Sequence, residues 1–334
     1  MSRPASAPEA GAPEAGETAP LLRLPGQPAP EVGGAEWFEA ADGRRLRAAL
    51  FPAKAPIGAV VISTGRTEFI EKYLEVADEL VRRGYSVLVH DWRGQGLSSR
   101  LLPDRLKGHA DGFEAMTGDF KTLLDRFEDR LPRPWISLAH SMGGCLTGLA
   151  LAEGEARFAG AIFCAPMWGI AGHSRVLASV GSRIACALGL GQAHALKPYD
   201  PFASRFEGDR LTHDPVRYQR TIDQIGAVRE LALGAVTWGW IRSAYAGIDR
   251  LVSLLAIAPR IRMPVTVLSA GEDAIVDSDA ARAVAARIPA AKWRLVPGAY
   301  HEILMETDPV RAIFWQEFDA LAAEVLTAAV GEQV

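Results

Sequence analysis

A serine lodged between an apolar strand and a helix constrains this chain more than any other feature. The run Ala139-His140-Ser141-Met142-Gly143-Gly144 follows the apolar stretch Trp135–Ala139 and opens a helical stretch from Gly143 to Glu153. A serine on so sharp a turn is held in a strained backbone conformation, with its hydroxyl lifted clear of the sheet. Its neighbours two positions away must be small to let strand and helix pass. The pattern is the nucleophile elbow G-x-S-x-G, with Ala139 in place of the first glycine. Such a turn needs a sheet behind it.

The flanking sequence supplies one. Trp37–Ala40, an Asp42-Gly43 turn and Leu46–Leu50 predict a β-hairpin. Ala59–Ser63, Ser86–His90, Gly160–Cys164, Val265–Ser269 and Trp293–Val296 are apolar runs of the kind found in strands covered on both faces. Helical spacing appears over residues 73–83, 113–131 and 309–329, and Gly84 stands where the first of these would stop. Alternation of this kind predicts an α/β fold with a mainly parallel central sheet flanked by helices.

One connection breaks the rhythm: roughly 100 residues separate Ala165 from Pro264, whereas an ordinary crossover needs one helix. This stretch, helical in patches and holding Trp168, Trp238 and Trp240, reads as a helical cap inserted over the carboxyl edge of the sheet. The expected organisation is a core over 35–165 and 262–334, with a cap over 166–261. Residues 1–34 repeat Ala-Pro-Glu-Ala-Gly and carry recurrent prolines, which predicts a disordered tail. The run Leu21–Leu24 is too short for the apolar region of a secretory signal.

The charge sum of 36 − 40 = −4 offers no basic excess for phosphates, which argues against nucleic acid as a partner. No apolar run approaches the roughly 20 residues that span a bilayer. The three cysteines, Cys145, Cys164 and Cys186, form neither a disulfide framework nor a zinc knuckle. A cytoplasmic location is expected, with peripheral contact at the inner face of the membrane left open through the cap.

A serine hydroxyl needs a base, and the base needs an orienting group. In elbow-bearing folds the chain order is serine, acid, histidine. His301 follows the last expected strand, and Asp273 follows the strand before it; Glu272 and Asp277 stand close enough to be alternatives. The oxyanion of an acyl intermediate would take the backbone N–H of Met142, at a helix start, and that of Arg66, beside Gly65 in the loop after Ala59–Ser63. No cofactor is expected.

With these residues in place the chain resembles the α/β-hydrolase superfamily, and within it the lysophospholipase and monoacylglycerol-lipase group with its serine aminopeptidase S33-type relatives. The resemblance covers about residues 37–325. It rests on Thr64–Tyr73, Asp91–Ser98, the elbow, Gly271-Glu272-Asp273 and Tyr300-His301. Lipases of the group commonly carry His-Gly where Thr64-Gly65 stands here. The family pattern implies Ser141, Asp273 and His301 as triad, and the N–H groups of Arg66 and Met142 as oxyanion hole.

Other features carry less. His301–Met305 starts like a zinc-binding helix motif but lacks its second histidine, and His140 is expected to point away from the nucleophile. Asp91 and Arg93 are expected to pair with each other, and His109 to be structural. The expected activity is hydrolysis of carboxylic esters of apolar acyl chains, with a small lipid or ester as substrate and Met167, Trp168, Trp238, Trp240 and Tyr245 lining an apolar channel. A peptidase on the same scaffold would want an acidic recess, for which Glu207, Asp209, Asp214, Asp223 and Glu230 are available. A silent binding protein is the third reading, marked by a lost triad member.

Overall fold

The computed structural model of the protein describes residues 16–172, 174–257 and 260–331. In chain order the strands are β1 (Thr18–Ala19), β2 (Gly34–Glu39), β3 (Arg45–Phe51), β4 (Gly58–Ser63), β5 (Tyr85–Asp91), β6 (Trp135–His140), β7 (Phe158–Cys164), β8 (Val265–Ala270) and β9 (Ala291–Val296). The helices are α1 (Leu74–Arg82), α2 (Phe113–Phe127), α3 (Ser141–Ala152), α4 (Arg175–Ala187), α5 (Pro215–Ala227), α6 (Trp238–Ile257), α7 (Ser278–Ala285) and α8 (Asp308–Gly331).

The strands form one sheet in the order β1-β2-β3-β5-β4-β6-β7-β8-β9. Pairing is antiparallel from β1 through β3 to β5 and parallel from there to β9. Every residue of β4, β5 and β6 is buried, as their unbroken apolar runs require. The last edge, β9, instead shows Lys292 and Arg294 to its surroundings, which blunts edge pairing. Strand order reverses at β4, whose neighbours are β5 on one side and β6 on the other. Ser63 and Ala139 lie in register across β4 and β6, so the loops leaving these strands meet at the topological switch point.

Three expectations are corrected. The tail does not extend to residue 34. β1 pairs with β2, the carbonyl of Pro20 accepts from Arg47 Nη1 at 2.9 Å, and the Leu22 N–H donates to Glu71 at 3.2 Å. These anchors are main-chain groups meeting buried charges, which composition does not reveal; the expected tail over 1–15 lies outside the described residues. Next, α6 belongs with the core. Ile248, Leu251 and Leu255 are buried in the main hydrophobic cluster, and Gly247 sits against Phe113 of α2. It is the crossover helix between β7 and β8, so the insertion narrows to residues 166–237.

Finally, Asp91 does not pair with Arg93. It takes Arg47 Nε at 2.8 Å, while Arg47 also grips Glu71 with two bonds of 2.8 and 2.7 Å. Arg93 turns to Asp119 and Asp42. The Asp91 carboxylate also accepts the N–H groups of Ile70 and Leu97, both at loops bordering the site.

The insertion is stitched to the loops at the carboxyl edge. The Glu302 N–H donates to the Leu211 carbonyl at 2.8 Å, Thr212 Oγ1 donates to the Met305 carbonyl at 2.7 Å, and His213 stacks on Tyr300 with centroids 3.7 Å apart. Among the described residues no helix is long and apolar enough to cross a membrane.

Candidate active site

Ser141 begins α3 directly after β6, with φ at 50°. A β-carbon on a non-glycine residue makes that left-handed value unfavourable, so the strain marks a position held by its surroundings. The surroundings are tight. A β-carbon at Gly143 would lie 2.3 Å from the Ser63 carbonyl oxygen, and one at Gly144 would lie 2.8 Å from Pro166 Cβ. Small residues are therefore required where α3 passes the ends of β4 and β7.

His301 Nε2 lies 2.9 Å from Ser141 Oγ, and His301 Nδ1 lies 2.8 Å from Asp273 Oδ2. The carboxylate only accepts, so Nδ1 carries the proton and Nε2 is free to accept from the serine. Asp273 Oδ1 accepts the N–H groups of Ile275 and Val276 at 2.8 and 2.9 Å. Burial pushes the Asp273 carboxyl upward, but the hydrogen bond and charge of His301, with those two N–H groups, outweigh it and hold the group below the usual carboxylate range. The loop after β8 thus supplies a fixed carboxylate and the loop after β9 an imidazole within hydrogen-bond reach of Ser141. The neighbouring Asp277 does something else, accepting the N–H groups of Asp279 and Ala280 and so capping α7. Sequence reading missed α7, a short helix among charged residues.

Met142 lies in the first turn of α3, whose N–H groups have no partner inside the helix. The opposing loop is pinned at Gly65: its N–H donates to Glu68, and its carbonyl accepts from Gln95 Nε2 at 2.6 Å. A β-carbon at Gly65 would lie 2.8 Å from His140 Nδ1, so only glycine lets this loop approach the elbow. Arg66 follows, and the chain turns at Thr67 with φ at 65°.

The five apolar candidates divide. Met167 donates its N–H to the Ser141 carbonyl at 2.9 Å and is buried beside it. Trp168 is turned into the core, donating to the Gly144 carbonyl at 3.1 Å and packing on Phe163, so its expected place in a channel is corrected. Trp240 packs on Phe113 under the Arg66 guanidinium; Tyr245 is buried and Trp238 half-buried. Instead, a cavity of about 140 Å³ lies beside the histidine loop, lined by Thr67, Tyr199, Tyr218, Leu233 and Glu302 among others.

The family model described as serine aminopeptidase, S33, matches residues 54–308. The chain is 31% identical over 302 residues to lysophospholipase L2 of Escherichia coli, covering 83% of each chain. The chain belongs to the serine aminopeptidase S33 family. A soluble variant of the monoglyceride lipase of Saccharomyces cerevisiae shares its architecture with a TM-score of 0.68 at 18% identity, over 91% of this chain and 100% of that one. The monoacylglycerol lipase of Paleococcus ferrophilus does so with a TM-score of 0.65 at 18% identity, over 83% and 98%. The protein is thus a hydrolase of the α/β-hydrolase fold.

In this S33-family chain, sequence reading missed a buried polar group behind the site. Lys72 Nζ bridges Glu302 at 2.5 Å and Glu68 at 3.1 Å, and Glu68 also meets Tyr73 and His140. The signal was present, since Glu68 and Lys72 stand one helical turn apart at the spacing of an ion pair. His109, expected to be structural, is held between Thr237 and Asp111 at 2.7 and 2.8 Å.

Proposed function

We propose that the protein is a serine hydrolase that cleaves carboxylic esters of single apolar acyl chains, in the manner of lysophospholipases and monoacylglycerol lipases. The observation that carries the reading is the unbroken relay Ser141–His301–Asp273, with contacts of 2.9 and 2.8 Å. Ser141 Oγ attacks the ester carbonyl while His301 Nε2 takes its proton, and Asp273 stabilises the imidazolium that forms. The oxyanion is met by the N–H groups of Met142 and Arg66. His301 then returns the proton to the leaving alcohol, and water releases the acyl group by the same steps in reverse order.

The peptidase reading draws on the family description, but the acidic recess it wants has little support. Asp214 caps α5 and pairs with Arg217, while Glu207, Asp223 and Glu230 are exposed. Only Asp209 borders the cavity. The silent-binder reading predicts a lost triad member, and none is missing.

Contact with a lipid surface through the cap, on the cytoplasmic side, is part of the same reading. Helix α4 turns Val176, Leu177, Val180 and Ile184 outward, each about half exposed or more, and buries Ser182. Arg175 and Arg183 flank that face. Such an inverted helix suits an apolar interface rimmed by anionic headgroups.

The test is labelling with a fluorophosphonate probe. The adduct should map to Ser141, and Ser141→Ala should abolish labelling and ester turnover together. An adduct on another serine would refute the assignment.

A further inference from the structure

Arginines whose side chains are largely covered in this protein are generally neutralised by carboxylates. Arg47 meets Asp91 and Glu71, Arg217 meets Glu75 and Asp214, and Arg311 meets Glu79. Two arginines at the carboxyl edge are not. Among the described residues neither Arg66 nor Arg100 has a carboxylate within 4 Å; both donate to main-chain carbonyls of the segment 230–234, while Arg100 Nε also donates to the Arg105 carbonyl at 3.2 Å and Tyr199 bonds Arg66. Arg66 Nη2 donates to Gly234, and Arg100 Nη2 donates to Glu230 and Ala232 at 2.8 and 3.2 Å. Each keeps a buried nitrogen with no acceptor, Nε in Arg66 and Nη1 in Arg100. Burial pushes both guanidinium groups down, that of Arg100 to about 10 with Arg105 beside it adding repulsion.

A carbonyl dipole satisfies a hydrogen bond but leaves the charge uncompensated, and an uncompensated buried charge is among the least favourable arrangements a fold can hold. A fold that neutralises its buried arginines has left these two half-buried ones short of an anion. Their position says where the anion would come from. The backbone N–H of Arg66 is the proposed oxyanion donor, so its guanidinium stands one arginine side chain away from the reacting carbonyl. That reach is similar to the glycerol span between the acyl ester and the phosphate of a single-chain phospholipid. Its guanidinium lies over the Trp240 ring at 5.5 Å, and Tyr199, which lines the cavity beside the histidine loop, interacts with it.

We propose that the Arg66 side chain, backed by Arg100, is a subsite for the phosphodiester of a single-chain phospholipid, so that the enzyme favours lysophospholipids over neutral monoacylglycerols. The proposal rests on the ester-hydrolase reading and names its substrate class. Guanidinium is the cation whose donor fork fits phosphate oxygens, and the nitrogens without acceptors, Arg66 Nε and Arg100 Nη1, are the donors left for them.

The test is binding without chemistry. A non-hydrolysable ether analogue, 1-O-alkyl-lysophosphatidylcholine, is titrated calorimetrically into the full chain below its critical micelle concentration. The neutral 1-O-alkylglycerol of equal chain length and inorganic phosphate are run beside it. The native protein should bind the phospholipid analogue more tightly than the neutral one, and inorganic phosphate only weakly. Arg66→Met should weaken the phospholipid analogue by about 10- to 100-fold, the loss of a charged hydrogen-bond donor, and leave the neutral ether within about twofold. Arg66→Lys should recover part of the loss. Equal weakening of both ethers, unchanged binding of the phospholipid analogue, or no binding of either by the native protein overturns the inference. Inorganic phosphate binding as well as the analogue would make this a free-anion site and overturn it too. No step of the assay uses Ser141 chemistry, so failure of the hydrolase reading registers separately in the probe labelling.

Discussion

His140 Nε2 lies 3.2 Å from the main-chain carbonyl oxygen of His301, while its Nδ1 lies 3.1 Å from Glu68 Oε2. Both partners are acceptors, so the ring donates at both nitrogens and is an imidazolium. Charge balance agrees: Glu68 and Glu302 are offset by Lys72 and His140, all four with side chains largely covered. Glu68 also holds the Gly65 N–H and the Tyr73 hydroxyl. One carboxylate thus connects the loop that carries Arg66 to the loop that carries His301.

If that connection sets the geometry of the site, Glu68→Gln should lower kcat more than it raises KM. The Gln amide can replace one bond of the carboxylate but leaves Lys72 and His140 without their counter-charge. Misplacement of catalytic groups by about 1 Å can cost on the order of 100-fold in turnover. A fall of about 10- to 100-fold in kcat on a soluble p-nitrophenyl ester is expected, with KM changed by less than about threefold. A variant that melts earlier but turns over normally per folded molecule would confine Glu68 to the scaffold.

The same pair makes a pH prediction. Burial pushes the His140 ring pKa down, but the charge and hydrogen bond of Glu68 outweigh this and raise it above the usual histidine value. A group whose pKa is raised on folding stabilises most below its unfolded value, about 6.5 for histidine. That contribution is lost as pH climbs through the raised value. The gap in Tm between the native protein and His140→Gln should therefore be widest at pH 6 or below and shrink above the normal histidine range. A gap that widens with pH would mean that His140 is neutral.

The central strands, the strand–turn–helix at Ser141 and the loops that bring Asp273 and His301 to it were legible because each has a local signature. Strands β4 to β7 are unbroken apolar runs, and Ser141 must have small neighbours. His301 and Asp273 follow strands whose order the alternation already gave. What was not legible depends on partners far apart in sequence. Arg47 and Asp91 look like ordinary surface charges until β3 and β5 bring them together. Helix α6 reads as cap because it follows the insertion without a break, and only its packing on Phe113 and α3 assigns it to the core. Trp168 reads as a channel wall because an aromatic side chain in a loop gives no sign of which way it faces.

The Arg47 cluster yields a stability prediction. Asp91 and Glu71 together bind one fully buried guanidinium, whose pKa their charges raise against the effect of burial. Removing one partner of a buried ion pair leaves the other uncompensated and costs about 3–5 kcal/mol. Asp91→Ala should lower the unfolding free energy by about that much in denaturant titration. It also frees the N–H groups of Ile70 and Leu97, which adds to the loss. A change below about 1 kcal/mol would mean that water enters and solvates Arg47.

Two aspartates four residues apart separate the catalytic assignment from a structural one. Asp273 orients His301 through Oδ2, and its Oδ1 is held by two backbone N–H groups, so Asn at this site can keep the loop while losing the anion. An amide NH₂ facing Nδ1 would force the ring proton to the other nitrogen, where it could no longer accept from Ser141. By analogy with other Ser-His-Asp enzymes, Asp273→Asn should cost about 10⁴-fold in kcat with little change in Tm. Asp277 instead caps α7, and Asn is as good a cap as Asp, so Asp277→Asn should leave kcat within about twofold. Equal losses from the two substitutions would assign the orienting carboxylate to a different residue of this loop.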